Sequence, residues 1–336
     1  MNIADMNISK VGFGAWAIGG SGWRYTWGAT DDDASVAAIH RAVESGVDWI
    51  DTAAVYGLGH SEEVVGRALA GLADKPYVFT KAGLVWDPDN PSAAPYRTMK
   101  QVRREVEDSL RRLGVERIDL YQVHWPDTGA SLEWSGGDGN AASAPTPLEE
   151  YWQVMADLKR EGKVRAIGLS NHGPELLEIA EGIAHVDAIQ PGFSALNRSA
   201  APEIAWAREH GTAVIAYSPM QSGLLTGAFS RERVAALPAD DWRRTHPDFT
   251  TGLDANLAVA EALRSMADRH GVSTAAAAIA WALAWPGVTG AIVGARTPAQ
   301  IDGWTGAGDL ALTPDDLAEV AETLRRTGAG QGPVAP

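Results

Sequence analysis

The chain has 336 residues and no cysteine, with 28 Lys plus Arg against 43 Asp plus Glu, a formal charge of −15. That balance leaves no basic stripe to neutralise a phosphate backbone, so nucleic acid is not an expected partner, and the missing thiols exclude disulfides, thiolate nucleophiles, iron–sulfur clusters and cysteine-ligated zinc. Asp5 stands where a secretory signal would carry its apolar stretch, so a cytoplasmic location is expected.

In chain order, apolar runs of strand length alternate with helical patterns. VGFGAWAIG (11–19) precedes a helix over 31–45, opened by acidic residues within 30–33; DWIDTA (48–53) precedes 61–71; YVFTKAG (77–83) precedes 98–113. IDLYQVHW (118–125) leads to 148–161, VRAIGLSN (164–171) to 174–182, and VDAIQP (186–191) to 200–210. TAVIAYSP (212–219) is followed by 273–285, and VTGAIVG (288–294) by the closing Pro/Asp segment 313–326. Gly46, Gly71, Gly114, Gly162 and Gly211 stop five of the helices.

Strands apolar nearly throughout suit a parallel sheet covered on its outer face. Eight such units with no interrupting linker predict a single (β/α)8 barrel over 1–336 rather than an open doubly wound sheet. The uncharged stretch between Arg269 and Arg296 is long enough to raise the question of a membrane span, but Pro286 and Gly287 break it into a helix and a strand. Residues 86–97, 126–147 and 226–255 fall outside the pattern, and each follows a strand. They are expected at the C-terminal face as lids or substrate walls.

Polar residues end the strands where an inert barrel has no use for them. Asp51 ends the second, Tyr56 follows five residues on, Lys81 sits in the third and His124 ends the fourth. A buried ammonium needs a partner, and Asp51 on the adjacent strand is the expected one. The set suggests a proton donor: Lys81 is expected to lower the pKa of Tyr56, Asp51 to keep Lys81 charged, and His124 to orient and polarise a carbonyl oxygen. The competing reading is a barrel hydrolase with paired carboxylates drawn from Glu62, Glu63 and Asp127, although Glu62 and Glu63 fit a helix start better.

GVDWIDTAAVYGLGHSEEVVGRAL (46–69), VFTKAG and DLYQVHWPD together resemble the aldo-keto reductase family, over nearly the whole chain. The resemblance implies a barrel that reduces an aldehyde or ketone, its small-molecule carbonyl substrate, with NADPH extended across the C-terminal face. It assigns the catalytic tetrad to Asp51, Tyr56, Lys81 and His124, with Tyr56 as proton donor. No metal is implied. Ser170, Asn171 and Gln190 would hold the nicotinamide carboxamide, and Tyr217 would stack on its ring. Trp16 and the 218–224 segment, with Ser218, Pro219, Met220, Ser222, Gly223 and Leu224, complete the dinucleotide groove.

GARTPAQ resembles the family's phosphate clamp: Arg296 and Thr297 would hold the 2′-phosphate, with Gly294 admitting it and Gln300 beside it. Arginine suits that task because its planar fork donates two parallel hydrogen bonds. Gly303 and Trp304 depart from the family's usual Glu-Asn, so Trp304 is the residue expected to meet the adenine. GFGAWAIGGSG lacks the dinucleotide-fingerprint spacing and reads as the first strand and its loop. Among 13 tryptophans, Trp23, Trp27, Trp86 and Trp125 are placed to wall a substrate pocket. The alternative function that the resemblance leaves open is an NADPH-binding redox sensor or regulatory subunit with little turnover.

Overall fold

The computed structural model describes residues 2–133, 137–238 and 241–336; parts of the two long irregular stretches, 134–136 and 239–240, lie outside the described residues. Eight parallel strands close into a barrel: Val11–Gly14, Trp49–Asp51, Tyr77–Ala82, Ile118–Val123, Val164–Ser170, Ala188–Gln190, Ala213–Ala216 and Gly290–Gly294, here numbered one to eight. Strand eight pairs back onto strand one, with Gly294 opposite Gly14. The expected (β/α)8 barrel is therefore the observed one.

Two-residue periodicity sorts the barrel-strand residues onto two faces. Trp49, Phe79, Leu120, Ala166, Ala188, Ile215 and Ile292 form a cluster inside the barrel, where Ile3 and Met6 of an N-terminal hairpin join them. Trp49 and Phe79 stack there with centroids 5.2 Å apart. The alternate residues, including Ile50, Val78, Tyr121 and Val123, face outward and pack against the helices in the main core. A third, aromatic cluster of Trp23, Tyr25, Val55, Leu84 and Leu132 roofs the C-terminal end.

Local chemistry fixes the covering helices. Asp31 accepts from the amides of Asp33 and Ala34 to start Asp32–Glu44, and Thr313 with Asp316 forms a capping box at the head of Pro314–Thr327. Thr274–Leu283 ends before the strand Gly290–Gly294, and among the described residues no helix is long and apolar enough to cross a membrane.

Three features differ from the sequence-based expectations. The first strand stops at Gly14, and Trp16–Ile18 form a 3-10 turn in place of the expected run to 19. The third covering helix begins at Val102 rather than 98, because Tyr96–Arg97 pair as a strand. Most unexpectedly, an 18-residue helix, Leu253–His270, precedes Thr274–Leu283, and with the short helix Arg231–Ala235 it lies between the seventh and eighth strands. Two of the irregular stretches, together with Leu84–Val85 just before the first, build a four-stranded sheet with strands Tyr96–Arg97, Ala130–Leu132 and Asp138–Ala141.

Candidate active site

The second, third and fourth strands are consecutive in the barrel, which brings their inward-facing ends together. Lys81 Nζ donates to Asp51 Oδ1 at 2.5 Å and to the Thr52 carbonyl at 2.9 Å, and lies 3.5 Å from the Tyr56 hydroxyl. The ammonium also stands 5.1 Å from the Tyr56 ring centroid. Tyr56 leaves the barrel on a tight turn in which Gly57 has φ 63°; a Cβ there would lie 1.9 Å from the Gly19 carbonyl oxygen. Glycine is required for that close approach. The His124 ring meets the Tyr56 ring edge-on at 5.6 Å.

Burial governs the protonation of this group. It pushes the Tyr56 phenol well above its ordinary range, and the Asp51 carboxylate adds to that rise. The expectation of a lowered Tyr56 pKa is thus corrected: burial, with the Asp51 charge adding to it, outweighs the ammonium 3.5 Å away. Burial also lowers Lys81, opposed by Asp51, and holds His124 well below the usual histidine range, with the Lys81 charge adding to the depression. The group therefore offers a neutral imidazole and a fully protonated phenol beside an anchored ion pair.

These side chains open on a cavity of about 840 Å³ that runs across the C-terminal face. Asp51, Tyr56 and His124 line it, as do Trp16, Ser170, Asn171, Gln190, Tyr217, Ser218, Pro219, Met220, Ser222, Gly223, Gly294, Arg296, Gln300 and Trp304. Leu224 is fully buried behind that lining, and Thr297 stands outside it as the residue before Pro298–Asp302. Of the four pocket tryptophans, Trp23, Trp27 and Trp125 line the cavity, while Trp86 packs on the aromatic roof without lining it.

The amide-bearing part of the lining is tightly ordered. Asn171 donates to the His124 carbonyl and to Ser170 Oγ, and its Oδ1 accepts from Tyr217 OH at 2.9 Å. Ser170 Oγ donates to the Gln190 carbonyl. At the far end, Arg296 donates to the carbonyls of Trp27 and Ala29, and its backbone N–H donates to Gln300 Oε1 at 2.7 Å. Trp27 in turn meets Trp16 at 5.4 Å and Trp242 at 6.1 Å, with the Arg243 guanidinium 5.4 Å from its ring. The first loop and the 226–255 stretch thus touch across the cavity.

Several lining residues were not singled out from the sequence. Tyr25 donates its hydroxyl to the Leu132 carbonyl, tying the first loop to the accessory sheet, and Trp242, Arg243 and His246 belong to a stretch without a readable motif. The carboxylates of the hydrolase reading are otherwise engaged. Glu62 accepts from Thr80 Oγ1 at 2.6 Å and pairs with Arg112, and Asp127 accepts from the amides of Met99, Gly129 and Thr146. Glu63 is exposed in the first turn of His60–Ala70, and none of the three lines the cavity.

The Aldo/keto reductase family model matches residues 10–325. The chain is 33% identical to aldo-keto reductase YhdN of Bacillus subtilis, covering 97% of this chain and 93% of that protein. It is 31% identical to the NADH-specific methylglyoxal reductase of Escherichia coli, over 97% and 98% of the two chains. Among solved structures it is similar to a glycerol dehydrogenase of Gluconobacter oxydans, with 38% identity, a TM-score of 0.84 and coverage of 96% and 93%.

Proposed function

The chain belongs to the aldo-keto reductase family of oxidoreductases, and from that premise we propose that it reduces an aldehyde or ketone to the alcohol, with NADPH as reductant and Tyr56 as proton donor. The observation that carries this reading is the Tyr56 hydroxyl held 3.5 Å from a Lys81 ammonium that Asp51 locks in place, at one end of a long cavity. When bound, the dinucleotide supplies the hydride.

The chain's own groups do the rest. A neutral His124 donates a hydrogen bond to the substrate oxygen and fixes its position. Tyr56 keeps its proton until negative charge develops on that oxygen, which is a far stronger base than a phenolate, and then gives it up. Lys81 faces the resulting phenolate oxygen and stabilises it. Trp16, Trp23, Trp27 and Trp125 exclude water from the reacting end and favour a carbonyl compound with an apolar face.

The lining suits an extended dinucleotide: hydrogen-bonding side chains at Ser170, Asn171 and Gln190, an oriented ring at Tyr217, and a guanidinium at the opposite end. NADPH is favoured over NADH on Arg296, whose guanidinium donates only to backbone carbonyls and has no carboxylate partner among the described residues. The Escherichia coli relative, NADH-specific by name, makes this the point to test. Truncation to Ala is expected to cost NADPH affinity about 1.5–3 kcal/mol and leave NADH nearly untouched, as read by tryptophan fluorescence titration. Equal affinity of the unaltered protein for the two dinucleotides would overturn the choice of NADPH while leaving the reductase reading intact.

A further inference from the structure

Gln122 lies in the fourth strand two residues before His124, opposite Lys81 on one side and Gly168 on the other, and is fully buried. Its period places it on the same inward face as His124. Room for it comes from the fifth strand: a Cβ at Gly168 would lie 3.2 Å from Gln122 Cγ and 2.7 Å from the Ala188 carbonyl oxygen.

The hydrogen bonds of this amide have only one consistent polarity. Asp51 Oδ1 is taken by Lys81, and Oδ2 is approached by the amides of Gln122 at 3.3 Å and Gln190 at 2.8 Å. A carboxylate only accepts, so both amides must present N–H to it. Gln122 Oε1 is then left to accept the second N–H of Gln190, at 3.1 Å. Both Gln190 hydrogens are thereby spent, and its Oε1 is the polar atom that remains, on a residue lining the cavity.

We propose that Gln122 is a positioning residue: it ties the Asp51 carboxylate to Gln190 and fixes Gln190 with its oxygen, rather than its nitrogen, offered to the nicotinamide carboxamide. This rests on the proposed cofactor reading. Without Gln122, Gln190 loses the acceptor for one N–H and can rotate its amide. Asp51 loses one of its three side-chain donors. The ion pair and the nicotinamide-facing amide then no longer hold each other in register.

Gln122→Met keeps an unbranched side chain of similar length and removes the amide. The test compares its affinity for NADPH with that for 2′-phospho-ADP-ribose, which lacks the nicotinamide. Loss of one buried hydrogen bond to the carboxamide corresponds to about tenfold. The expected result is a loss of about tenfold for NADPH and none for 2′-phospho-ADP-ribose. An equal loss for both, or no loss for either, overturns the proposal.

Gln122→Glu serves if Met does not fold. Ionised, it repels Asp51; protonated, it donates to Asp51 and accepts from Gln190, so the NADPH-specific loss should recover as pH falls. A loss independent of pH overturns the proposal. Binding of neither NADPH nor NADH by the unaltered protein would instead overturn the functional reading, and this proposal with it. Carbonyl reduction with either dinucleotide, together with an unimpaired Gln122→Met, would overturn this proposal alone.

Discussion

On the inner side of the third strand Lys81 meets Asp51 at 2.5 Å; on the outer side, one residue earlier, Thr80 donates to Glu62, which Arg112 clamps at 2.6 Å. Both carboxylates are buried and both pairs bridge neighbouring elements. The outer group spends its hydrogen bonds within the protein and faces packed helices, whereas the inner group stands against a protonated phenol and an open cavity. Burial and pairing alone therefore do not mark a reactive centre. A neighbouring group that can still exchange a proton, and space for something to exchange it with, do.

The comparison breaks most sharply at Tyr56. Tyr56→Phe removes one hydroxyl and little volume, so the turnover rate should fall by about 10²–10⁴, the span of general acid–base contributions, while NADPH binding and thermal stability hold. Steady-state kinetics beside a cofactor titration checks this, and an unchanged turnover number would remove Tyr56 from the proposed role. Arg112→Leu is the opposite case. It strands Glu62 as an uncompensated buried charge, so unfolding free energy should drop by about 3–5 kcal/mol with turnover per folded molecule unchanged, as read by denaturant titration and active-site-normalised rates.

The outer side also carries a pH signature. Glu105 Oε2 accepts from the Gly83 amide, and burial, with the Glu62 charge adding, pushes the Glu105 carboxyl up to about 7. The folded state thus holds a proton that the unfolded chain, with a value of 4.5, has released. Its stabilising contribution is present below pH 4.5 and is lost as pH rises toward 7, by about 3 kcal/mol. Glu105→Gln should flatten that slope in melting curves taken across the window; an unchanged slope would assign it to other groups. The smallest effect is expected at Thr80→Val, which removes one hydrogen bond to Glu62: about 1 kcal/mol of stability, seen as a shift in denaturant midpoint, and no change in rate.

Legibility from sequence follows the physics of each region. The barrel strands were readable because buried parallel strands are apolar throughout, and the Asp51, Lys81 and His124 positions because a charge or imidazole in such a run stands out. Gln122 carried the same signal, a polar residue in register with His124, but an amide draws less notice than a titratable group. Leu253–His270 buries Leu253, Asn256, Ala260, Leu263 and Ala267 at helical spacing, yet its start lies inside a mixed-charge stretch, and the assumption of one helix per strand left no place for it. The accessory strands are two to four residues long, too short for a period to show. Loop direction is set by tertiary contacts such as Tyr25 with Leu132, which is why strand-end position alone did not separate Trp86 from the three tryptophans that line the cavity.

The alternation of Thr80 and Lys81 also bears on how the chain finds its barrel. Sliding the third strand by one residue against its neighbours turns every side chain to the opposite face. Such a slip would drive Lys81 out among the helices, leave Asp51 in the interior with no cation, and take from Glu62 the hydroxyl it accepts from. Two charged groups on opposite sides of one strand would object at once. Apolar residues on both faces of Tyr77–Ala82 would tolerate that error far better, since Val78, Phe79 and Ala82 are all at home in a core. The residue proposed to serve the reaction is thus also a checkpoint in the folding search, and its replacement by an apolar residue should widen the range of misregistered barrels that the chain samples.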